Sequence, residues 1–212
     1  MRELRYTLLS DGPSDRALLP ILTWLLRTHG VEMAVQPDWA DLRRLPKPPR
    51  GLLERMRTSV DLYPCDLLFV HRDAEGEPYL SRRQEIVRAR EEAVQLPPTV
   101  CVIPVRMQEA WLLFDEPAIR TAAGNPNGRN RLDLPRLQHV EGLPDPKEVL
   151  YELLRTASGL SGRRHKKLPV SQLAQRVSDF IEDFAPLRTL PAFTALEDEI
   201  RETVEIHGWT GP

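Results

Sequence analysis

The stretch LLSDGPSDRALL (residues 8–19) has the pattern of a β-strand that ends in a tight turn and leads directly into a helix. The run Tyr6 to Leu9 is apolar and rich in strand-forming residues, whereas Gly12 and Pro13 are typical of a turn. Ser14 is a candidate N-cap for the following apolar helical stripe. Asp11 is therefore predicted at the C-terminal edge of the first strand, where open α/β sheets bind their ligands.

After this stretch, as far as residue 115, apolar runs of strand length alternate with amphipathic segments. Further strands are predicted at residues 31–35, 65–70 and 99–105, and helices at residues 14–28, 52–62 and 80–96; residues 106–115 are also helical in composition. This alternation predicts an α/β fold with a mostly parallel central sheet of about four strands flanked by helices.

The last third of the chain has a different character. Residues 146–157, 170–184 and 192–206 have helical spacing, and no strand is expected after residue 105. We therefore predict an α/β core in residues 1–115 and a C-terminal helical cap in residues 116–212, packed on the core as one compact unit.

Composition excludes several classes of protein. Of 212 residues, 41% are hydrophobic and 28% charged, with a formal net charge of −2, so any nucleic-acid contact requires local clustering of basic residues. No apolar run approaches the length of a membrane span, and residues 1–6 lack a signal-peptide core. The two cysteines, Cys65 and Cys101, lie in apolar strand-like contexts typical of buried thiols. The chain is expected to be cytoplasmic and to have no membrane partner.

Acidic residues recur where predicted strands end. Asp11 follows the first strand, Asp73 and Glu75 follow the third, and Glu109 follows the fourth. Carboxylate oxygens are the ligands that Mg²⁺ or Mn²⁺ prefers, and a pair of such ions about 4 Å apart can activate water and stabilise a leaving phosphate oxygen. The pattern predicts that these four carboxylates bind metal and carry out catalysis.

Each acid also has a simpler interpretation. Asp11 is a common turn residue, Asp73 and Glu75 fit a solvated turn, and Glu109 complements a helix dipole. Asp15 is interpreted as a partner of the helix dipole rather than as a ligand.

Basic residues flank the acidic motifs. Arg72 and Arg106 are each adjacent to an acid and are predicted to contact a substrate phosphate, or alternatively to neutralise the carboxylates. Lys166 and Lys167 end the basic run GRRHKK (residues 162–167), which is either a solvated loop or a segment that binds a nucleic-acid backbone. The proline-rich connection at residues 37–51 carries further basic residues and is either solvated or in contact with phosphate; these residues are Arg43, Arg44, Lys47 and Arg50.

Together, the acid-Gly-x-Ser-Asp turn and the D-x-E-G segment resemble the TOPRIM domain of topoisomerases, primases and overcoming-lysogenization-defect nucleases. The run QEAWLLFD (residues 108–115) is similar to an E-x-W-L-L-x-D element of a TOPRIM-like bacterial domain-of-unknown-function family (number 4276, DUF4276), often found near ATPase genes in defence-type loci. Lys166 or Lys167 and the segment AFTAL (residues 192–196) resemble the helical tail of that family.

The resemblance implies a role for each acid. Asp11 matches a glutamate that binds metal or acts as a general acid/base, although its side chain is one methylene shorter. Asp73 and Glu75 match the Mg²⁺-binding D-x-D pair, with Glu75 longer than the usual aspartate, and Glu109 matches a further acid typical of the family.

The expected function is a Mg²⁺- or Mn²⁺-dependent nuclease, or a related phosphoryl-transfer enzyme on nucleic acid, with an ATPase partner in a phage-defence system. The alternative is a catalytically inactive TOPRIM-like binding or regulatory subunit, favoured by the aspartate at position 11. A homo-oligomer is compatible with either.

Overall fold

The computed structural model describes residues 3–74, 76–93 and 95–211, in which a four-stranded, all-parallel sheet is flanked by helices. The strands are β1 (Glu3–Leu9), β2 (Ala34–Trp39), β3 (Leu67–His71) and β4 (Thr99–Val102), in the spatial order β2-β1-β3-β4. Leu8 is the register partner of Trp39 on one side and of Phe69 on the other. The chain therefore has the α/β fold that the sequence predicts.

Helices connect and cover these strands. The α-helices are α1 (Leu18–Thr28), α2 (Leu52–Leu62), α3 (Tyr79–Glu92), α4 (Glu116–Ala122), α5 (Pro146–Ser158), α6 (Gly162–Lys166), α7 (Val170–Arg176) and α8 (Pro191–His207). Short 3₁₀ helices cover Pro13–Ala17, Leu42–Arg44, Gln108–Leu112, Leu137–Gly142, Val177–Phe180 and Ala185–Thr189. Along the described residues, no strand follows β4, as predicted.

Alternation along the strands produces two hydrophobic cores, one on each face of the sheet. Tyr6, Leu8 and Phe69 belong to the larger core, which also holds α1 and the helices that follow β4; we call this side the cap face. Leu68 and Val70 point to the smaller core, which contains residues of α2 and α3 and which we call the α2–α3 face. Burial on both faces explains why β3 is a continuous apolar run.

The second strand lies further along the chain than expected. Residues 31–35 are predicted as a strand, but β2 spans Ala34–Trp39 and includes Pro37. A proline lacks the N–H that a central strand needs. Pro37 is tolerated because β2 is at the edge of the sheet, where only β1 pairs with it.

Several predicted helices are shorter or tighter than expected. The segment 14–28 begins as the 3₁₀ helix Pro13–Ala17 before α1, and residues 106–115 contain only the 3₁₀ helix Gln108–Leu112. The segment 170–184 divides into α7 and the 3₁₀ helix Val177–Phe180. In contrast, α2 has the predicted bounds, and none of the described helices is both long and apolar enough to cross a membrane.

Candidate functional site

The C-terminal edge of the sheet contains a topological switch point between β1 and β3. The chain leaves β1 toward β2 on one side, and returns through α2 to β3 on the other side of β1. In open parallel sheets, the loops at such a point diverge and leave a crevice that binds ligands. Asp11 and Asp73 follow these two strands directly.

Asp11 lies among arginines on the α2–α3 face. Its Oδ1 atom is 2.6 Å from Nη1 of Arg55 in α2, and its Oδ2 atom is 3.6 Å from Nη1 of Arg72. The second amino group of Arg55 donates to the Ser10 carbonyl at 2.7 Å. Arg72 also contacts Glu85 of α3, at 3.5 Å. The charge of Asp11 is therefore neutralised by protein cations.

Asp15 is a buried carboxylate on the cap face, with an exposed fraction of only 5%. It accepts hydrogen bonds from the backbone N–H of Gly12 at 2.9 Å and from the hydroxyl of Ser14 at 3.1 Å. The side-chain amide of Gln108 donates to it at 3.1 Å. Asp15 therefore connects the turn after β1 with the segment after β4, 93 residues further along the chain.

Glu109, adjacent to Gln108, is also buried, with an exposed fraction of 6%. Burial raises the pKa of its carboxyl group, because a charge is poorly solvated there, and the negative charge of Asp15 raises it further. The positive charges of Lys147 and His71 oppose this rise. Glu109 and Asp15 therefore form a pair of buried acids that repel each other when both are ionised.

His71, the last residue of β3, contacts Asp73, and its positive charge also acts on the pKa of Glu109. Its side chain is 2% exposed, and Nδ1 donates to the carbonyl of Val102 at 3.0 Å. Nε2 lies 3.4 Å from Oδ1 of Asp73. Because the carbonyl requires a proton on Nδ1, an ion pair with Asp73 requires the doubly protonated ring. We call Asp15, Asp73, Glu109 and His71 the acid cluster.

The period of the strand separates the predicted acids into two groups. The backbone N–H groups of Arg72 and Ala74 donate to Val102 and Pro104, so the chain stays extended beyond the end of β3. Successive side chains therefore point to opposite faces: Arg72 toward α3, and Asp73 toward His71. Asp11 contacts Arg72 and Arg55 of α2, and therefore lies on the α2–α3 face rather than with Asp73.

The other residues predicted for the site are three exposed basic residues and Glu75. Arg106 is exposed, has a left-handed backbone (φ 67°), and its guanidinium lies over Gly76. Lys166 and Lys167 are exposed at the end of α6, and neither forms an ion pair within the described part of the chain. Glu75 lies outside the described residues.

Sequence reasoning missed several contributors to this edge. The sequence favours a helix-dipole role for Asp15, although its place in the same turn as Asp11 is a usable signal for the site. Gln108 carries no charge and gives no signal of its own. Arg55 and Lys147 lie in the first turns of α2 and α5, and only the folded structure brings them close to acidic residues.

The donor chemistry of the acid cluster matches that of a divalent-metal site, because carboxylate oxygens are the preferred ligands of Mg²⁺. The buried Oε1 atom of Gln108 also finds no hydrogen-bond donor among the described residues. The same residues include no group of three or more acids, histidines or cysteines positioned to hold a metal ion. Comparisons with protein-family models, curated proteins and solved structures find no match to this chain.

Proposed function

We propose that this chain is a Mg²⁺- or Mn²⁺-dependent nuclease, or a related phosphoryl-transfer enzyme on nucleic acid, with a TOPRIM-like core. The observation that supports this most directly is the burial of Glu109 next to Gln108, whose amide donates to a second buried carboxylate, Asp15. Two such acids repel each other in a medium of low dielectric constant, and a hard cation would relieve that repulsion. Their position at the switch point of a parallel sheet also favours a ligand site.

In this proposal, oxygens of Asp73 and Glu109 would hold the metal, and Asp15 and, as the sequence predicts, Glu75 would complete the set of acids. A bound divalent ion supplies Lewis acidity toward the phosphate and lowers the pKa of bound water. His71 is held in one ring orientation by the Val102 carbonyl and can carry a proton on Nε2. Asp11 would join the metal ligands only after leaving Arg55 and Arg72.

Four basic residues would bind the substrate. Arg72 and Arg106 follow β3 and β4, and Lys166 and Lys167 would contact the nucleic acid from α6. We further propose that the protein is cytoplasmic, that it acts with an ATPase partner in phage defence, and that it forms a homo-oligomer.

The direct test is metal binding followed by cleavage. Isothermal titration with Mg²⁺ and Mn²⁺ is expected to give saturable binding by the wild type that is lost in Asp73→Ala and Glu109→Gln. In the same variants, the rate of metal-dependent cleavage of single- and double-stranded DNA and RNA should fall at least about 100-fold. Asp133→Ala is the matched control, because Asp133 is an exposed aspartate whose one ion-pair partner among the described residues is Arg131. Wild-type protein that neither binds metal nor cuts contradicts the proposal.

A second candidate is a non-catalytic binding or regulatory subunit. It is favoured by the neutralisation of Asp11 by Arg55 and Arg72, and by the absence of a gathered group of metal donors in the described residues. This candidate predicts that nucleic acid or a partner protein still binds to Asp73→Ala with unchanged affinity, and that no metal supports cleavage.

A further inference from the structure

A small arginine-lined cavity lies on the α2–α3 face, at the C-terminal ends of β1 and β2. It has a volume of about 230 Å³ and lies beneath the proline-rich connection, with Pro48 and Pro49 in its wall. We call it the arginine pocket; its polar and aromatic lining consists of Ser10, Asp11, Trp39, Arg43, Arg50 and Arg55.

Two of these arginines are held in place by the protein. The guanidinium of Arg55 is fixed between Asp11 and the Ser10 carbonyl, and its side chain is 18% exposed. Arg43 donates two hydrogen bonds to Asp41, at 2.9 and 3.2 Å, and lies over the Trp39 ring at 5.3 Å. A fixed, planar guanidinium loses little freedom when it binds a phosphate, which favours binding.

The charge of the arginine pocket is unbalanced. Arg50 is exposed, and its guanidinium forms no ion pair within the described residues. Asp11 is the single acid in the lining, and Asp41 pairs with Arg43 from outside it, so three arginines face two carboxylates and one positive charge is left in excess. A pocket with excess positive charge attracts an anion, and guanidinium groups match the oxygens of a phosphate.

We propose that the arginine pocket binds a backbone phosphate of a nucleic-acid strand. The volume lies below the range of about 300–1,000 Å³ typical of small-molecule sites, which favours one phosphate with its sugar over a complete cofactor. Asp11 borders the pocket and contacts Arg72, and the next residue, Asp73, belongs to the acid cluster. A strand held here would therefore run along the same edge of the sheet as the proposed cleavage site, and the inference rests on the proposed function.

Asp11 has a defined role in this inference. Its carboxylate forms an ion pair with Arg55 when no substrate is present, so a phosphate must compete with that carboxylate for the guanidinium. Removing its charge should therefore strengthen binding of the strand, whereas removing a metal ligand should not.

The test uses the full chain with EDTA present, so that metal plays no part. Fluorescence anisotropy of a labelled 12-nucleotide single-stranded DNA is measured over a series of salt concentrations. Arg43→Ala and Arg50→Ala should each lower the affinity for the strand about tenfold. Each should also reduce the slope of log affinity against log salt concentration by about one, the value expected for the loss of one phosphate contact. Asp11→Asn should tighten binding several-fold. Arg129→Ala is the matched control, because Arg129 is exposed and forms no ion pair among the described residues.

Far-UV circular dichroism verifies that every variant is folded, and inorganic phosphate is tested as a competitor. Displacement of the strand by phosphate supports the inference. The inference is overturned if Arg43→Ala and Arg50→Ala bind like Arg129→Ala, if Asp11→Asn weakens binding, or if phosphate binds but the strand does not. Strand binding that depends on the arginines without cleavage in any metal would instead count against the proposed function alone.

Discussion

Asp11 and Asp15 are four positions apart in one turn, yet their surroundings differ in charge and in burial. Asp11 is more than half exposed and contacts arginines. Asp15 is buried and accepts hydrogen bonds from uncharged groups, namely the Gly12 backbone, the Ser14 hydroxyl and the Gln108 amide. The first arrangement holds charges at a surface, and the second holds two segments of the chain together.

This difference predicts unequal effects on stability. Asp15→Ala should lower the free energy of unfolding by roughly 2–4 kcal/mol, because the buried donors of Gly12 and Gln108 lose their acceptor. Asp11→Ala should cost less than about 1 kcal/mol, since Arg55 keeps its bond to the Ser10 carbonyl and remains partly hydrated. Urea denaturation at neutral pH measures both. Equal losses in the two variants would contradict the inference that Asp15 holds the two segments of the chain together.

At the scale of elements, α8 carries two glutamates whose pKa values move in opposite directions. Arg188 donates three hydrogen bonds to the Glu197 carboxylate, at 2.6 to 3.0 Å, and lowers its pKa. Glu199 faces Cys101 in the edge strand β4, and burial raises its pKa. Glu197 also contacts His29, so it joins the C-terminal end of α1 to the second turn of α8.

The sign of each shift sets a pH dependence. The stabilisation by Glu197 is fully present above the ordinary carboxyl pKa and is lost as the pH falls through the lowered value. Glu197→Gln should therefore lower the free energy of unfolding by about 1.5–3 kcal/mol at pH 7, and this difference from the wild type should become smaller as the pH falls. For Glu199, the folded chain holds the proton more tightly, so the wild type loses stability as the pH rises through the raised value. Glu199→Gln should therefore become more stable relative to the wild type as the pH rises through that value.

Urea unfolding of these two variants from pH 3 to pH 8 measures both trends, with Glu205→Gln as the control for loss of an exposed charge on the same helix. If both variants followed the same pH trend, the opposite environments assigned to Glu197 and Glu199 would be wrong.

Elements with strong local signals were predictable from the sequence, and those set by long-range contacts were not. The bounds of α2 and the core of β3 follow from apolar period and length alone. The sequence did not predict the shift of β2, because Pro37 is acceptable only at a sheet edge and strand order is a property of the complete fold. The separation of Asp11 from Asp73 likewise depends on the extended backbone beyond His71 and on Arg55, which comes from a different helix.

At the scale of the whole molecule, the larger core extends across the boundary predicted at residues 115 and 116. It combines strand residues such as Tyr6 and Phe69 with residues of α4, α5 and α8. Trp111 and Phe193 pack edge to face with ring centroids 5.4 Å apart, and both side chains are fully buried. Hydrophobic burial on the cap face of the sheet therefore depends on residues from both parts of the chain.

This shared core predicts that the two parts unfold together. Phe193→Ala should lower the free energy of unfolding by about 3–5 kcal/mol, because it leaves a cavity against Trp111. Circular dichroism and tryptophan fluorescence should still report one coincident transition. Ile206→Ala, which alters a side chain that is 78% exposed on the same helix, should change stability by no more than about 0.5 kcal/mol. A fragment of residues 1–115 should show no cooperative transition, because Trp111 and its neighbours would face water. A fragment that melts cooperatively, or separate transitions in Phe193→Ala, would instead make the α/β part an independent folding unit and the helical part an accessory to it.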